Sequence, residues 1–263
     1  MKALVTGGTG VLGRELVSRL RAHADVRVLS RQPPRGPGHV QGDLETGKGL
    51  SAALDGVDAI AHCASAADYW RPNRDVTQTR RLLDALAGAR PHLVYISIVG
   101  VDRLRWGFFR AKLASERLIE DSGLPWTILR ATEFHDLMLT FLIKLSKAPV
   151  AVVARRSQYQ PVDVRDVAER MAELVLSPPT GRARELGGPR IEGMEDLMRA
   201  YLSAAGRNRP LISVPLPGKL GAAFGVGDQL LADGERGTRT FEDYLQSRTG
   251  ADGAIQNPYC QRS

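Results

Sequence analysis

The 263-residue chain has only two cysteines, Cys63 and Cys260, too far apart in sequence to form a metal-ligand spacing. That excludes a disulfide-stapled scaffold, gives no reason to expect a metal, and fits a reducing, cytoplasmic setting. Long apolar runs are missing too. The longest candidate, Leu137 to Leu145, is broken by Thr140 and Lys144 and is too short to cross a bilayer. The chain runs from Met1 directly into an apolar strand, so a cleaved signal peptide is not expected. A G-x-S-x-G elbow, an H-E-x-x-H pair, a Walker A lysine and a second flavin motif are all absent, which removes the chemistries they carry. Acid is in deficit: 36 Lys and Arg against 29 Asp and Glu give a net charge of +7. The arginines are scattered, with no basic block interleaved with aromatics. The charge is therefore read as attraction to an anionic small molecule rather than as a nucleic-acid footprint.

Hydrophobic residues make up 43% of the chain and charged residues 25%, as in soluble globular proteins. The length suits one large α/β domain with a modest appendage. The most informative stretch is Lys2 to Gly13, KALVTGGTGVLG. Ala3, Leu4 and Val5 form a short apolar run, as in a strand buried on both faces. A glycine-rich turn follows, and Val11 to Leu20 reads as an amphipathic helix. Gly7 lets the chain leave the strand sharply, Gly10 leaves room for a phosphate against the backbone, and Gly13 lets the helix pack close to the sheet. The unpaired amides and the dipole at the helix start favour a pyrophosphate. Thr6, Gly7, Gly10, Val11, Leu12 and Gly13 are the expected lining of that site.

The G-x-x-G-x-x-G spacing of TGGTGVLG resembles the cofactor loop of the short-chain dehydrogenase/reductase superfamily, especially its extended and atypical members. The later stretch FFRAKLASERLIEDSGLPWTILRATEFHD is similar to the atypical NmrA-like, NAD(P)H-binding group. The resemblance covers about Lys2 to Leu176. It implies a Rossmann-type doubly wound parallel sheet in residues 1–148, with a smaller substrate or partner lobe in 149–263 interleaved with that sheet.

The resemblance also assigns roles by position. Acid-bearing relatives hold the ribose hydroxyls of NAD at the end of the second strand. Here that end carries Ser30 and Arg31, which favours NADP(H) over NAD(H), because a guanidinium pairs with a 2′-phosphate. Asp43 and Leu44, in a G-D-L stretch, take the adenine-side position. Cys63 and Ala64 replace the small-residue segment after the fourth strand. The neighbouring His62 reads either as an acid/base or as a packed strand-end histidine. Ser97 falls at the catalytic serine's place, or else is a strand-end serine bonded to nearby backbone. Ala131 and Thr132 open the segment to His135 expected at the nicotinamide end, with Phe134 and Met138 as an apolar wall or as plain helix packing.

The chief departure lies in the Tyr-x-x-x-Lys pair. Lys112 is present, as a ribose and nicotinamide-side ligand, but the residue four before it is Phe108, which has no ionisable group. The proton that tyrosine would supply then has to come from Ser97, from water, from a pocket group such as Tyr159, or from the substrate.

The first reading is an NADP(H)-dependent oxidoreductase with Ser97 and Lys112 as catalytic residues. It would transfer hydride with a flat apolar, quinone-like or aromatic carbonyl-like substrate. The second is a non-catalytic NADP(H)-sensing regulator, and the third takes the basic charge as nucleic-acid association. No membrane partner is expected, and monomer and homo-oligomer both remain open.

Overall fold

The computed structural model describes residues 1–34, 36–65, 73–104, 107–215, 227–250, 254–257 and 259. The weak helix expected at Leu216 to Phe224 and Cys260 lie outside them. Two compact units divide the chain: Met1–Arg130 with Val167–Arg184, and Ala131–Asp166 with Glu185–Ser263. A single cut after residue 148 does not reproduce this division. Residues 131–148 pack with the later lobe, and the helix after Asp166 returns the chain to the first unit.

The first unit opens with β1 (Lys2–Thr6), α1 (Val11–Leu20), β2 (Asp25–Ser30) and β3 (His39–Gln41). It continues through α2 (Leu50–Leu54), β4 (Ala59–His62), α3 (Asn73–Asp84), β5 (His92–Ile98) and α4 (Gly107–Glu120). β6 (Trp126–Ala131) ends at the division. Strand order is β3-β2-β1-β4-β5-β6, with parallel pairing of β2 to β3, β1 to β2, β1 to β4 and β4 to β5. The chain works outward from β1 on one side and then on the other, so the topology reverses between β1 and β4. That is where open α/β sheets bind ligands. β1 is buried along Ala3 to Thr6, and β5 from His92 to Ser97, as their unbroken apolar runs require. Leu4, Ile60, Leu93 and Ile128 join Leu50, Leu82 and Ile119 of the helices in one core.

The second unit takes α5 (His135–Leu145), β7 (Ala151–Ala154) and β8 (Gln158–Tyr159). α6 (Val164–Leu176) begins in it and continues in the first unit, where β9 (Gly181–Arg182) pairs with β6. The remaining elements are β10 (Leu186–Gly187), β11 (Glu192–Gly193), α7 (Met194–Ala204), β12 (Leu211–Val214), β13 (Glu235–Arg236) and α8 (Phe241–Arg248). The strands pair in short ribbons, β7 with β12, β8 with β11 and β10 with β13, and Leu186 pairs with Ala131. Asp163 caps α6 as expected, its Oδ1 accepting the Arg165 amide at 2.8 Å. α8 begins with a capping box between Thr240 and Asp243.

Candidate nucleotide site

β1 ends at Thr6, which stands opposite Leu29 of β2 and His62 of β4, and His62 stands opposite Tyr95 of β5. This register brings Gly7, Ser30, Cys63 and Ile96 out at one edge of the sheet. Gly7 has φ +69°, a left-handed conformation that favours glycine, and a Cβ there would lie 2.7 Å from the Ala64 amide. The Thr6 hydroxyl accepts that amide at 3.3 Å, so the exits of β1 and β4 are tied together. Gly13 is tighter still: a Cβ would stand 2.2 Å from the Gly7 carbonyl oxygen and 2.6 Å from the Gly8 Cα.

The turn therefore presses its backbone against the first turn of α1. Gly10 caps that helix without a side-chain acceptor, and no acidic residue lies in the first turn. The amides of Val11, Leu12 and Gly13 thus meet no competing carboxylate at the positive end of the helix dipole. This backbone cradle, with no acid in it, fits the diphosphate of a nicotinamide nucleotide.

Leu12 and Leu44 have their side chains in the core, so only their backbones remain for a ligand. The Ser30 hydroxyl accepts the Gln32 amide at 3.1 Å. Arg31 is exposed, and its guanidinium has no hydrogen bond or ion pair among the described residues. The Asp43 carboxylate accepts from the Glu45 amide at 2.8 Å and the Thr46 hydroxyl at 3.2 Å, which closes a local turn. Burial pushes the Cys63 thiol up to about 12, so it is protonated and unreactive at neutral pH.

His62 takes the packed role. Its Nδ1 is 2.7 Å from the Thr6 hydroxyl, its Nε2 is 3.2 Å from the Thr79 hydroxyl, and burial pushes its pKa down to about 3. A neutral, fully engaged imidazole of this kind holds two strands and a helix together.

Lys112 is buried on α4. Its ammonium lies 3.4 Å from Asp75 Oδ2 and 4.9 Å from the Tyr95 ring centroid, and it donates to the Ile96 carbonyl at 3.5 Å. Burial works against the charge, but the Tyr95 phenol and the Asp75 carboxylate more than offset it and raise the Lys112 pKa. Lys112 is thus held charged beside β5, one residue before Ser97. Ser97 is buried, and its hydroxyl has no hydrogen-bond partner among the described residues. Phe108 places its ring centroid 5.9 Å from the Lys112 ammonium, where it supplies a π face and no proton.

Asp75 is a partner of Lys112 that the sequence motifs do not reveal, because 37 positions separate the two (112 − 75). Glu116 lies one helical turn after Lys112, on the same face of α4. Its buried carboxylate receives Arg130 in a fork, at 3.0 and 2.8 Å, and Arg182 at 3.1 Å. Burial opposes its charge, but these guanidiniums hold its pKa below the ordinary value.

In the second unit, Ala131 pairs with Leu186. The Thr132 hydroxyl donates to the Gln160 carbonyl at 2.5 Å and accepts the Gly188 amide at 3.3 Å. The Thr132 side chain is committed to the fold. Met138 belongs to that unit's core, which is the packing alternative for it. His135 donates from Nε2 to the Pro161 carbonyl at 2.9 Å and lies 3.7 Å from Asp163, not in a dyad with Asp136.

A family described as NAD(P)H-binding matches residues 7–178. The chain belongs to that family. It is 34% identical over 196 residues to the (4-alkanoyl-5-oxo-2,5-dihydrofuran-3-yl)methyl phosphate reductase of Streptomyces griseus, covering 71% of this chain and 67% of that one. It is 24% identical over 244 residues to an NAD(P)H azoreductase of Xenophilus azovorans, covering 88% of this chain and 83% of the other. Its fold matches the NADPH-dependent quinone oxidoreductase of Escherichia coli, solved with NADPH, at a TM-score of 0.76 and 19% identity over 94% of this chain and 99% of that one. No helix among the described residues is long and apolar enough to cross a membrane.

Proposed function

We propose that the protein is an NADP(H)-dependent oxidoreductase acting on a flat, largely apolar quinone-like or aromatic carbonyl-like small molecule. The carrying observation is the acid-free glycine cradle, in which Gly7 and Gly13 leave no room for a side chain beneath the α1 amides. The reductase names of the relatives from S. griseus and X. azovorans support the reaction class. A bound nicotinamide would supply hydride chemistry, and the chain's part is to bind, orient and protonate.

In this reading the amides of Val11, Leu12 and Gly13 hold the diphosphate. Arg31, the exposed guanidinium at the end of β2, pairs with the 2′-phosphate beside Ser30. Asp43 and the Leu44 backbone border the adenine, and the backbones of Cys63 and Ala64 border the rest. Lys112, kept charged by Asp75, binds ribose hydroxyls, and the unpartnered Ser97 hydroxyl hydrogen-bonds the reacting oxygen of the substrate.

The test is a titration with NADPH and NADH, followed by NADPH oxidation with a panel of quinones and aromatic ketones. Arg31→Ala is expected to weaken NADPH by about tenfold or more while leaving NADH unchanged, the loss of one charge-assisted hydrogen bond. Equal weakening of both nucleotides counts against the 2′-phosphate role. Phe108 in place of tyrosine favours one second reading, a sensor that binds NADP(H) without turnover. Tight binding with no acceptor reduced would select it.

A further inference from the structure

β7 and β12 form a parallel pair that joins no other strand among the described residues. Both lie in the second unit. Side chains alternate across such a pair, so its two faces differ. One face is covered: Ala151 and Val153 are buried in the core with Leu197 and Met198 of α7. The other face is open to water. Val152 is 44% exposed, Ile212 51% and Val214 39%. The register sets Ile212 directly beside Val152, with Val214 two residues further along the same face. Parallel strands are ordinarily buried on both faces, so three adjoining branched aliphatics in water call for a partner.

The rim of this face carries charge of one sign. Because the strands run parallel, Lys147, Arg207 and Arg209 precede them at one end, and Arg155 and Arg156 follow β7 at the other. All five are exposed, and none forms an ion pair among the described residues. Arg155 donates to the Ser213 carbonyl at 3.0 Å, which lays its side chain along β12. Arg207 reaches the Ser146 hydroxyl at 3.4 Å, beside the approach to β7. Residues 137–162 and 197–227 contain no Asp or Glu, so nothing in either stretch neutralises the rim. Val152 and Ile212 are 60 positions apart (212 − 152), and only their pairing assembles the patch.

We propose that the outer face of the β7–β12 pair is a membrane-contact surface that seats the protein on an anionic lipid bilayer. The aliphatics enter the headgroup boundary, and the cations meet the lipid phosphates. No helix among the described residues is long and apolar enough to cross a membrane, so the contact is peripheral. Lipid fits this chemistry better than the other occupants do. A second copy would set these cations against their own kind. A nucleic acid would satisfy the charge, but valine and isoleucine offer its bases no ring to stack on. The inference is independent of the reaction catalysed.

The full chain should float with vesicles of equimolar phosphatidylcholine and phosphatidylglycerol and not with phosphatidylcholine alone, and raised salt should release it. Lys147, Arg156 and Arg209 make no side-chain hydrogen bond among the described residues. Lys147→Gln, Arg156→Gln and Arg209→Gln combined should therefore leave the melting temperature unchanged. That triple variant should bind the vesicles about 100-fold less tightly, at about fivefold per cation. Val152→Ser combined with Ile212→Ser should weaken binding about tenfold. Ile212→Trp should bind more tightly, and vesicles should shift its fluorescence to shorter wavelength relative to wild type.

No flotation at low salt overturns the proposal. So does flotation that the triple variant and the serine pair both leave within about twofold of wild type, and so does an Ile212→Trp emission that vesicles do not move. Duplex DNA or RNA bound more tightly than the vesicles, with no effect of the serine pair, assigns the rim to nucleic acid instead. A wild-type dimer that the serine pair dissociates assigns the face to a second copy.

Discussion

The core of the first unit is aliphatic, built around Leu4, Leu50, Ile60, Leu82, Leu93, Ile119 and Ile128. That of the second gathers Met138, Met194 and Met198 with Tyr201, Phe241 and Tyr244. The difference follows from the strands. A parallel sheet repeats its spacing, and branched aliphatics fill a regular lattice in few rotamers. Ribbons of two to four residues leave irregular gaps, which flexible thioethers and large rings fill better.

Rings bring polar tips inward, and the tips need partners. The Tyr244 hydroxyl donates to Asp136, and the Tyr201 hydroxyl lies 3.4 Å from the Ser146 hydroxyl. The first unit is thus held at its functional edge by close backbone approach, and the second by side-chain pairs that span the chain. Phe241 and Tyr244 also flank the His135 ring, with centroids 5.5 and 5.2 Å away.

The sharpest break of this contrast is Gly13→Val. Its added Cβ meets immovable backbone at 2.2 Å, so we expect a loss of about 3 kcal/mol or more, or no folding, together with lost nucleotide binding. A melting curve and an NADPH titration read both effects, and a variant that behaves normally would show that the cradle is not built by backbone contact.

Next comes acid. His62 has its folded pKa pushed down to about 3 from an unfolded value near 6.5, so the unfolded chain binds the extra proton between those limits. Stability from this group is complete above about pH 6.5 and lost as pH falls towards 3, at up to about 1.4 kcal/mol per unit. Denaturant midpoints measured from pH 7 to pH 4 should show that slope, and His62→Gln should flatten it.

In the second unit, Asp163→Ala should cost about 2 to 3 kcal/mol, since it removes the α6 cap and both Arg165 hydrogen bonds at one stroke. The Asp163 pKa is held low in the fold. Burial opposes the charge, but Arg165 and His135 outweigh it, so this contribution is present above the unfolded value near 4 and disappears as pH falls below it. Asp163→Ala should therefore differ least from wild type in strong acid. The smallest effect is Tyr244→Phe, about 1 kcal/mol, because Arg248 still faces Asp136 once the phenol is gone. If Tyr244→Phe cost as much as Gly13→Val, the two units would not differ in the way their cores suggest.

The first unit was largely legible in advance. α1 begins at Val11 and ends at Leu20, as its apolar spacing predicts, and β2, β4, β5 and β6 lie on the apolar runs read for them. Of the later helices, α6 and α7 fall where the sequence predicts a helix from Asp163 through Leu176 and another over Met194 to Ala205, and α8 runs beyond the short capped stretch Thr240 to Leu245. β9, β11 and β13 were not read, because two residues carry no period. Of the candidate site, the glycine turn was marked by its spacing, and Ser97 and Lys112 by the family resemblance, whereas the Asp75 partner of Lys112 and the Arg130–Glu116 fork were not marked.

Local order in this chain is written in neighbours three, four or seven positions apart, and those neighbours sufficed for strand, turn and helix around Gly7, Gly10 and Gly13. Whether His62 is an acid or a strut, whether Thr132 is free, and whether a carboxyl stays charged depend on atoms brought from far along the chain. Arg248 reaches Asp136 across 112 positions, and Gln160 reaches Glu133 across 27. The charge of a buried group is set by the solvation it loses and the partners it gains, and both are properties of the packed molecule.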